Sequence, residues 1–342
     1  MAADWALFPL ILLASIATVI ASQAVITGAF SLTQQAVQLG YLPRMEVRQT
    51  SEQLGQVYVP AINRLLLVAV VATVLVFRSS NALGGAYGIA VTGTMIVDTT
   101  LAFVYLLLGA RWPLWGLVPI FAVFVTVDLS FLGANLLKLF DGGWFPLVIG
   151  SLAFTVLMTW IWGRQQLGER RARDALPLSI LTETLRSERL VRVSGTAVYL
   201  TARIDNVPAA LLHNMKHNHV LHERNVLMTV QTADVPRLPE ADRLVIRHFD
   251  QNFHTVNIRY GFLEEPDIPR ALALARVGGF HFNLMDTSFF VGRETVVPGR
   301  RSRWAYPFQR LFVRLSALAL DATSFFRIPV NRVVELGGRI EV

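Results

Sequence analysis

Apolar residues run in five long blocks through the first half of the chain, at 5–26, 57–77, 82–108, 114–135 and 144–162, and no block after 163 approaches their length. A helix needs about 20 mostly apolar residues to cross a bilayer, so each block predicts a membrane-spanning helix. Buried helices of a soluble core rarely come five in succession with such short polar connections. The first block continues without a clean break into SQAVITGAFSLTQQAVQLGYLPR. There, residues 29–40 set Phe30, Ala36, Val37 and Leu39 against Gln34, Gln35 and Gln38. That pattern predicts a second, amphipathic helix at the inner membrane surface, ended by Gly40 and Pro43.

From residue 164 the pattern changes. An arginine-rich linker at 164–173 and a short helix at 178–190 lead to β-type runs at 196–202, 226–232, 243–249 and 253–262. Helical segments at 208–217 and 267–277 come between or after them, and further β segments lie near 286–297 and 331–342. The reading is a membrane region at 1–163, a basic linker and helix at 164–190, and a cytoplasmic α/β domain at 191–342. Near its end Trp304, Phe308, Leu311, Leu315 and Leu318 form a helical stripe among Arg300, Arg301, Arg303, Arg310 and Arg314. Such a helix lies on a membrane surface, or packs on the domain's own sheet or a second subunit.

Composition sharpens this division. Hydrophobic residues make up 53% of the chain and charged ones 16%. The first 163 residues balance Arg44, Arg48, Arg64, Arg78, Arg111 and Lys138 against Asp4, Glu46, Glu52, Asp98, Asp128 and Asp141, so the net charge of +7 belongs to the tail. A basic tail beside a bilayer favours anionic lipid headgroups. Nucleic acid is disfavoured, because the tail arginines are interspersed with carboxylates instead of forming a stripe. Absence of cysteine excludes disulfides and thiolate metal sites. The first block starts at Trp5 without a basic n-region or small-residue cleavage site, unlike a secretory signal.

Arg44, Arg48 and Arg64 surround the first connection, Arg111 sits in the third, and Arg164, Arg170, Arg171 and Arg173 follow the last block; alternate connections hold only Arg78 and Lys138. The positive-inside rule places the first set in the cytoplasm. Five spans then start outside and leave the tail cytoplasmic, and the chain reads like the later part of a longer one.

Polar groups within the spans carry the functional signal. The third block, NALGGAYGIAVTGTMIVDTT, interleaves Gly84, Gly85, Gly88 and Gly93 with Tyr87, Thr92, Thr94, Asp98, Thr99 and Thr100. Glycines let helices approach or unwind, and hydroxyls or freed carbonyls can then replace an ion's hydration shell. Small residues also simply pack helices, which accounts for any single threonine here. Tyr87, between two glycines, is the better candidate for gating or ligating a cation. Asp128 lies deep in its block, where a carboxylate costs roughly 2.5–3.5 kcal/mol. It is either a proton relay or ion ligand, or a neutral carboxyl bonded to a neighbouring helix. Asp98 reads as structural. In the first block Ser15, Thr18, Ser22, Gln23 and Thr27 recur near helical spacing and make one face polar.

In the tail, His213 and His217 share a helix face, with His219 and His222 nearby. The spacing suits zinc, but no HExxH pattern accompanies it, so packing or pH sensing is preferred to metal. DNVPAAL (205–211) puts Asn206 and Pro208 at a strand-to-helix junction where backbone amides could bind an anion or nucleotide. No nucleophile–base set appears at a usable spacing, so an enzyme is not expected.

Four of these segments, ASQAVITGAFSLTQQAVQLGYLPR, AYGIAVTGTM, ANLLKLFDGGWFPL and LLHNMKHNHVLHERNVLMTV, together resemble the KUP/HAK/KT family of potassium uptake permeases. The resemblance covers essentially the whole chain. It implies potassium import coupled to protons at a bacterial inner membrane, with potassium, protons and the bilayer as partners and no cofactor. It also implies part of an inverted-repeat core of the amino acid–polyamine–organocation (LeuT-like) type. The resemblance further implies about twelve spans before the cytoplasmic domain, and these five look like the last five. The earlier spans, which supply most of the potassium site, are not in this sequence. Carried onto this chain, the resemblance makes Tyr87 a contributor to the ion path, with the first span beside it. Ion-path candidates are therefore Tyr87, Thr92, Asp128, Ser22 and Gln23. A homodimer and a nucleotide on the tail domain stand as further candidate partners. The competing reading is a regulatory or ligand-binding membrane module without autonomous transport.

Overall fold

The computed structural model describes residues 4–49, 57–110, 112–173, 175–187, 190–250, 252–275, 282–299 and 306–341. Arg111, Arg300, Arg301, Arg303, Trp304 and the end of the helix expected at 267–277 lie outside them.

Among the described residues five helices are long and apolar enough to cross a membrane. They are α1 (Leu7–Gln38), α2 (Pro60–Phe77), α3 (Ser80–Val104), α4 (Leu114–Leu136) and α5 (Trp144–Arg173). Their large apolar side chains are mostly exposed, the arrangement expected where lipid supplies the apolar surroundings. The second helix expected at 29–40 is not separate: α1 is one helix of 32 residues that runs through most of it. Nothing at Gly28 forces a turn, and the hydroxyls of Ser15, Thr18 and Thr33 bond back to carbonyls four residues earlier. At 1.5 Å per residue α1 is about 48 Å long, more than the roughly 30 Å hydrocarbon layer. Its last turns bury Phe30, Thr33, Gln34 and Val37, with Phe30 edge-on to Tyr58 at 5.5 Å. The glutamine-rich segment is therefore the packed end of α1, which stops where Gly40 takes φ +79°.

The chain forms two compact units. In the one spanning Arg64–Leu157, the Ser79 side chain caps α3 by accepting from Ala82 N–H at 3.3 Å. A wide π-type turn, Tyr105–Gly109, follows α3. A second, Leu139–Gly143, separates α4 from α5, with Gly142 at φ +126°. α3 packs along α4 and against this second turn.

The other unit joins Met1–Asn63 to Met158–Val342. A short antiparallel ribbon pairs β1 (Arg48–Gln49) with β2 (Val57–Tyr58). After α5 comes α6 (Leu178–Ser187), then a six-stranded sheet. Its strands are β3 (Val191–Leu200), β4 (Val220–Ala233), β5 (Leu244–Asp250), β6 (Phe253–Gly261), β7 (Thr287–Val297) and β8 (Val333–Glu341). The order is β5-β6-β4-β3-β7-β8, with only the β5–β6 pairing antiparallel.

Parallel strands need both faces covered, which explains the near-continuous apolar runs AVYL and VLMTV. On one face Val198, Met228, Ile258 and Phe289 meet α8 (Ile268–Leu274) and Phe326, just past α10 (Ala322–Phe325). On the other, Tyr199, Leu227 and Phe290 meet α6 and α7 (Ala209–His213). The Tyr199 hydroxyl accepts from Asn214 Nδ2 at 3.2 Å. Burial raises the Tyr199 pKa, with the Asn214 bond pulling the other way.

Helix α9 (Tyr306–Leu318) keeps Leu315 of the expected stripe against Trp160 and Phe312 but turns other members of it outward. It buries Gln309 and Phe312, while Phe308 and Leu318 are exposed. Phe312 selects this face because Gly163 of α5 leaves room for its ring, and Trp160 packs beside it at 5.4 Å.

Candidate functional site

The glycines of α3 create a face that approaches backbone directly. A Cβ at Gly85 would lie 3.2 Å from the Asp141 carbonyl oxygen, and one at Gly88 only 2.1 Å from Asn135 Oδ1. Across the contact, a Cβ at Gly142 would lie 3.0 Å from the Ala82 oxygen, and one at Gly143 2.3 Å from Ile89 Cδ1. The GGAYG and FDGGW sequences are thus the two halves of one close helix-to-turn contact. Asn135 is held by donation from its Nδ2 to the Phe131 carbonyl at 2.9 Å.

Further along the same face, Thr92 is buried and donates to the Gly88 carbonyl at 2.8 Å. Two turns on, Thr99 donates its hydroxyl to Asp128 Oδ2 of α4 at 2.7 Å. Asp128 is 3% exposed. A buried carboxylate oxygen thus has a side-chain donor on the neighbouring helix, as burial of such a group demands. Thr92 and Thr99 share a face but stand about 10 Å apart along the helix, so Thr92 and Asp128 are not one cluster. Asp98 is exposed.

Tyr87 points the other way. With Gly85, Ile89, Thr92 and Thr99 on the packed side, the 100° per residue of a helix puts residue 87 opposite, and it is 70% exposed. Ser22 and Gln23 of α1 are also exposed. Within each unit, then, Thr92 and Asp128 are packed, while Tyr87, Ser22 and Gln23 are presented outward. Sequence reasoning placed Thr99 in the polar set without singling it out as Asp128's partner. That assignment needs the phase of α4 against α3, which neither segment carries alone.

In the sheet domain the His213 and His217 rings stack at 5.7 Å, both on the surface. Among the described residues no group of three or more His, Cys, Asp or Glu is placed to hold a metal ion. His222 packs edge-on against Phe290 at 5.6 Å, and burial lowers its pKa. At the DNVPAAL junction the Val207 N–H is bound to the Leu176 carbonyl at 2.8 Å, and Leu178 N–H to that of Asp205 at 3.0 Å. These contacts fasten the start of α6 and leave that amide unavailable to an anion.

Comparison with known proteins gives a consistent picture. Residues 1–165 match the family described as K+ potassium transporter integral membrane domain, and residues 194–342 the K+ potassium transporter C-terminal domain. The "Probable potassium transport system protein Kup 1" of Paramagnetospirillum magneticum is 51% identical over 340 residues, covering 99% of this chain and 53% of that protein. The "Probable potassium transport system protein Kup" of Caulobacter vibrioides is 50% identical over 335 residues, 98% of this chain and 50% of its own length. "Probable potassium transport system protein Kup 2" of Chromobacterium violaceum is 51% identical over 347 residues, 100% of this chain and 55% of its own. The chain spans about half the length of the curated relatives it matches.

Proposed function

The chain belongs to the potassium transporter family, and from that premise we propose that it forms the last five membrane helices and the cytoplasmic domain of a potassium uptake system. Potassium enters the cell with protons across a bacterial inner membrane, and these helices complete an inverted-repeat core whose other spans supply most of the ion site.

One observation carries the assignment of roles. Packing commits a whole face of α3 to α4 and the Leu139–Gly143 turn, and leaves Tyr87 alone of the ion-path candidates on this helix facing outward. In this proposal Tyr87 lines the ion path against spans from the rest of the protein, and α1 contributes Ser22 and Gln23. The packed residues, Gly85, Gly88, Thr92 and Thr99, hold α3 at the correct rotation. Asp128 takes up and gives back the coupling proton, and the Thr99 hydroxyl, donating to Oδ2, fixes the orientation of its carboxyl group. Alternating access is rocking of such packed helices as bodies, which suits a close contact that has no slack for internal rearrangement.

Rubidium uptake tests this in bacteria lacking their own potassium systems. The chain is produced alone and also joined in frame behind the amino-terminal half of the Paramagnetospirillum relative. The joined protein is expected to take up rubidium, and Tyr87→Ala to lower uptake at least tenfold with insertion unchanged. A joined protein that inserts but carries no rubidium would remove the transport assignment, and full uptake by Tyr87→Ala would remove Tyr87 from the path.

A further inference from the structure

Where α5 leaves its apolar block, the unit containing the sheet gathers three arginines. Arg164 donates Nη1–H to the carbonyl of Gly40, the residue that ends α1, at 3.0 Å. Arg44, four residues further on, lies over the Phe325 and Phe326 rings at 5.3 and 5.1 Å, and its carbonyl accepts from Leu320 N–H at 2.8 Å. Arg171 pairs with Glu294 of β7. Among the described residues neither Arg44 nor Arg164 forms an ion pair. Asp321, the carboxylate that opposes the repulsion on Arg44, also caps α10, accepting from Ser324 N–H at 2.6 Å.

The cations repel one another. The Arg44 pKa falls to about 10, first through burial among protein atoms and then through Arg164 and Arg171, with Asp321 opposing. Both Arg44 and Arg164 keep solvent access. Arg44 and Arg164, brought to the same end of α1 with no carboxylate partner among the described residues and both reachable from outside, are an incomplete arrangement unless an anion joins them.

Depth identifies that anion. Arg164 directly follows Gly163, at the end of the apolar block, and Gly163 and Trp160 carry Phe312 of α9. This contact sets α9 at the level where the span emerges. Its exposed Phe308 and Leu318, beside Arg310 and Arg314, have the composition of a helix lying in a membrane interface. A guanidinium fork matches phosphate oxygens. A phosphate at this depth can be joined to acyl chains lying along the exposed apolar surface of α5, whereas a free phosphate would gain only the arginines.

We propose that Arg44 and Arg164, with Arg171 beside them, hold the phosphate of an anionic phospholipid headgroup at the end of α5, with α9 lying in the same interface. The inference rests on the membrane reading of the five helices but not on which ion they carry.

The test uses the full chain, purified in mild detergent, delipidated and titrated with phosphatidylglycerol or phosphatidylcholine, with bound lipid counted by native mass spectrometry. Phosphatidylglycerol should be preferred, and Arg44→Gln and Arg164→Gln should each weaken its binding roughly fivefold, as expected for a basic group at a lipid surface. Arg44→Lys and Arg164→Lys, which keep the charge and put less at risk in folding, should lose less than the glutamine variants. In the unaltered chain, raising salt should erode the preference, a readout that needs no variant. The proposal is overturned if the unaltered chain shows no preference between the two lipids, or if the double glutamine variant binds phosphatidylglycerol as well as the parent. Displacement of the lipid by inorganic phosphate at comparable concentration would also overturn it, making this a site for a free anion.

Discussion

Replacing Thr99 by valine keeps the branched shape and removes one hydroxyl, leaving Asp128 Oδ2 without the donor it has at 2.7 Å. Hydrogen bonds to charged groups contribute about 1.5–3 kcal/mol in water-soluble proteins. Side-chain bonds between membrane helices average about 0.6 and reach about 1.7 kcal/mol, because the unfolded chain in the membrane finds other partners. Deep burial of Asp128, at 3% exposure, and the short distance favour the upper part of the membrane range. The expected loss is therefore about 1–1.7 kcal/mol. Asp128→Asn keeps an oxygen that Thr99 can donate to, and should cost less. Unfolding of the full chain in mild detergent by added dodecyl sulfate, followed by tryptophan fluorescence, measures both as midpoint shifts at unchanged slope. In Asp128→Leu the need for a donor disappears, so Thr99→Val should then cost almost nothing. The double-mutant cycle should return a coupling of about 1 kcal/mol or more. A Thr99→Val midpoint equal to the parent's, with additive effects in the cycle, would refute the view that this pair fastens α3 to α4.

Two further outcomes are expected elsewhere. Gly163→Ala would put a methyl 2.2 Å from the Phe312 ring, so the ring must leave Trp160; overpacking of this kind costs about 1–3 kcal/mol, and faster proteolysis within α9 in the otherwise folded chain is the check. Burial alone would raise the Glu264 pKa, but the Gly261 N–H, Arg243 and Leu238 N–H bonds outweigh it and hold the carboxylate below its ordinary value. Its stabilisation is therefore complete above the ordinary carboxylate range and is lost as pH falls through the depressed value. Hydrogen-exchange protection of the Gly261 and Leu238 amides, corrected for intrinsic rates, should fall over that acid window, and Glu264→Gln should flatten the dependence.

Features set by length and local composition were legible in the sequence. The apolar blocks near 57–77, 82–108 and 114–135 correspond to α2, α3 and α4, because twenty apolar residues admit few other fates. The runs at 196–202 and 226–232 announced strands, although not that they would be buried on both faces or that β3 would lie between β4 and β7, since strand order is written in pairings far apart along the chain. Misreadings came where a distant residue decided the outcome. Residues 29–38 carry a convincing amphipathic pattern, yet it serves the contact of Phe30 with Tyr58 and belongs to α1 itself. The stripe through Phe308 and Leu318 was regular, yet of its residues Leu315 packs with Phe312, whose ring the space over Gly163 admits, while Phe308 and Leu318 face outward. Of the ion-path candidates, the sequence supplied polar positions without rotation. On α3 the division between packed Thr92 and outward Tyr87 depends on which glycines meet which backbone.

The bond from Leu320 N–H to the Arg44 carbonyl also has a consequence in time. Arg44 leaves the ribosome soon after α1, but Leu320 and the phenylalanines beneath its guanidinium are made near the end of the chain. At roughly 5–20 residues per second, the segment after α1 waits on the order of tens of seconds for its partners while four more helices enter the bilayer. During biogenesis that segment must be kept from mispairing by something other than its final contacts, and its anchoring becomes a late checkpoint that a ribosome stalled before residue 320 could never pass.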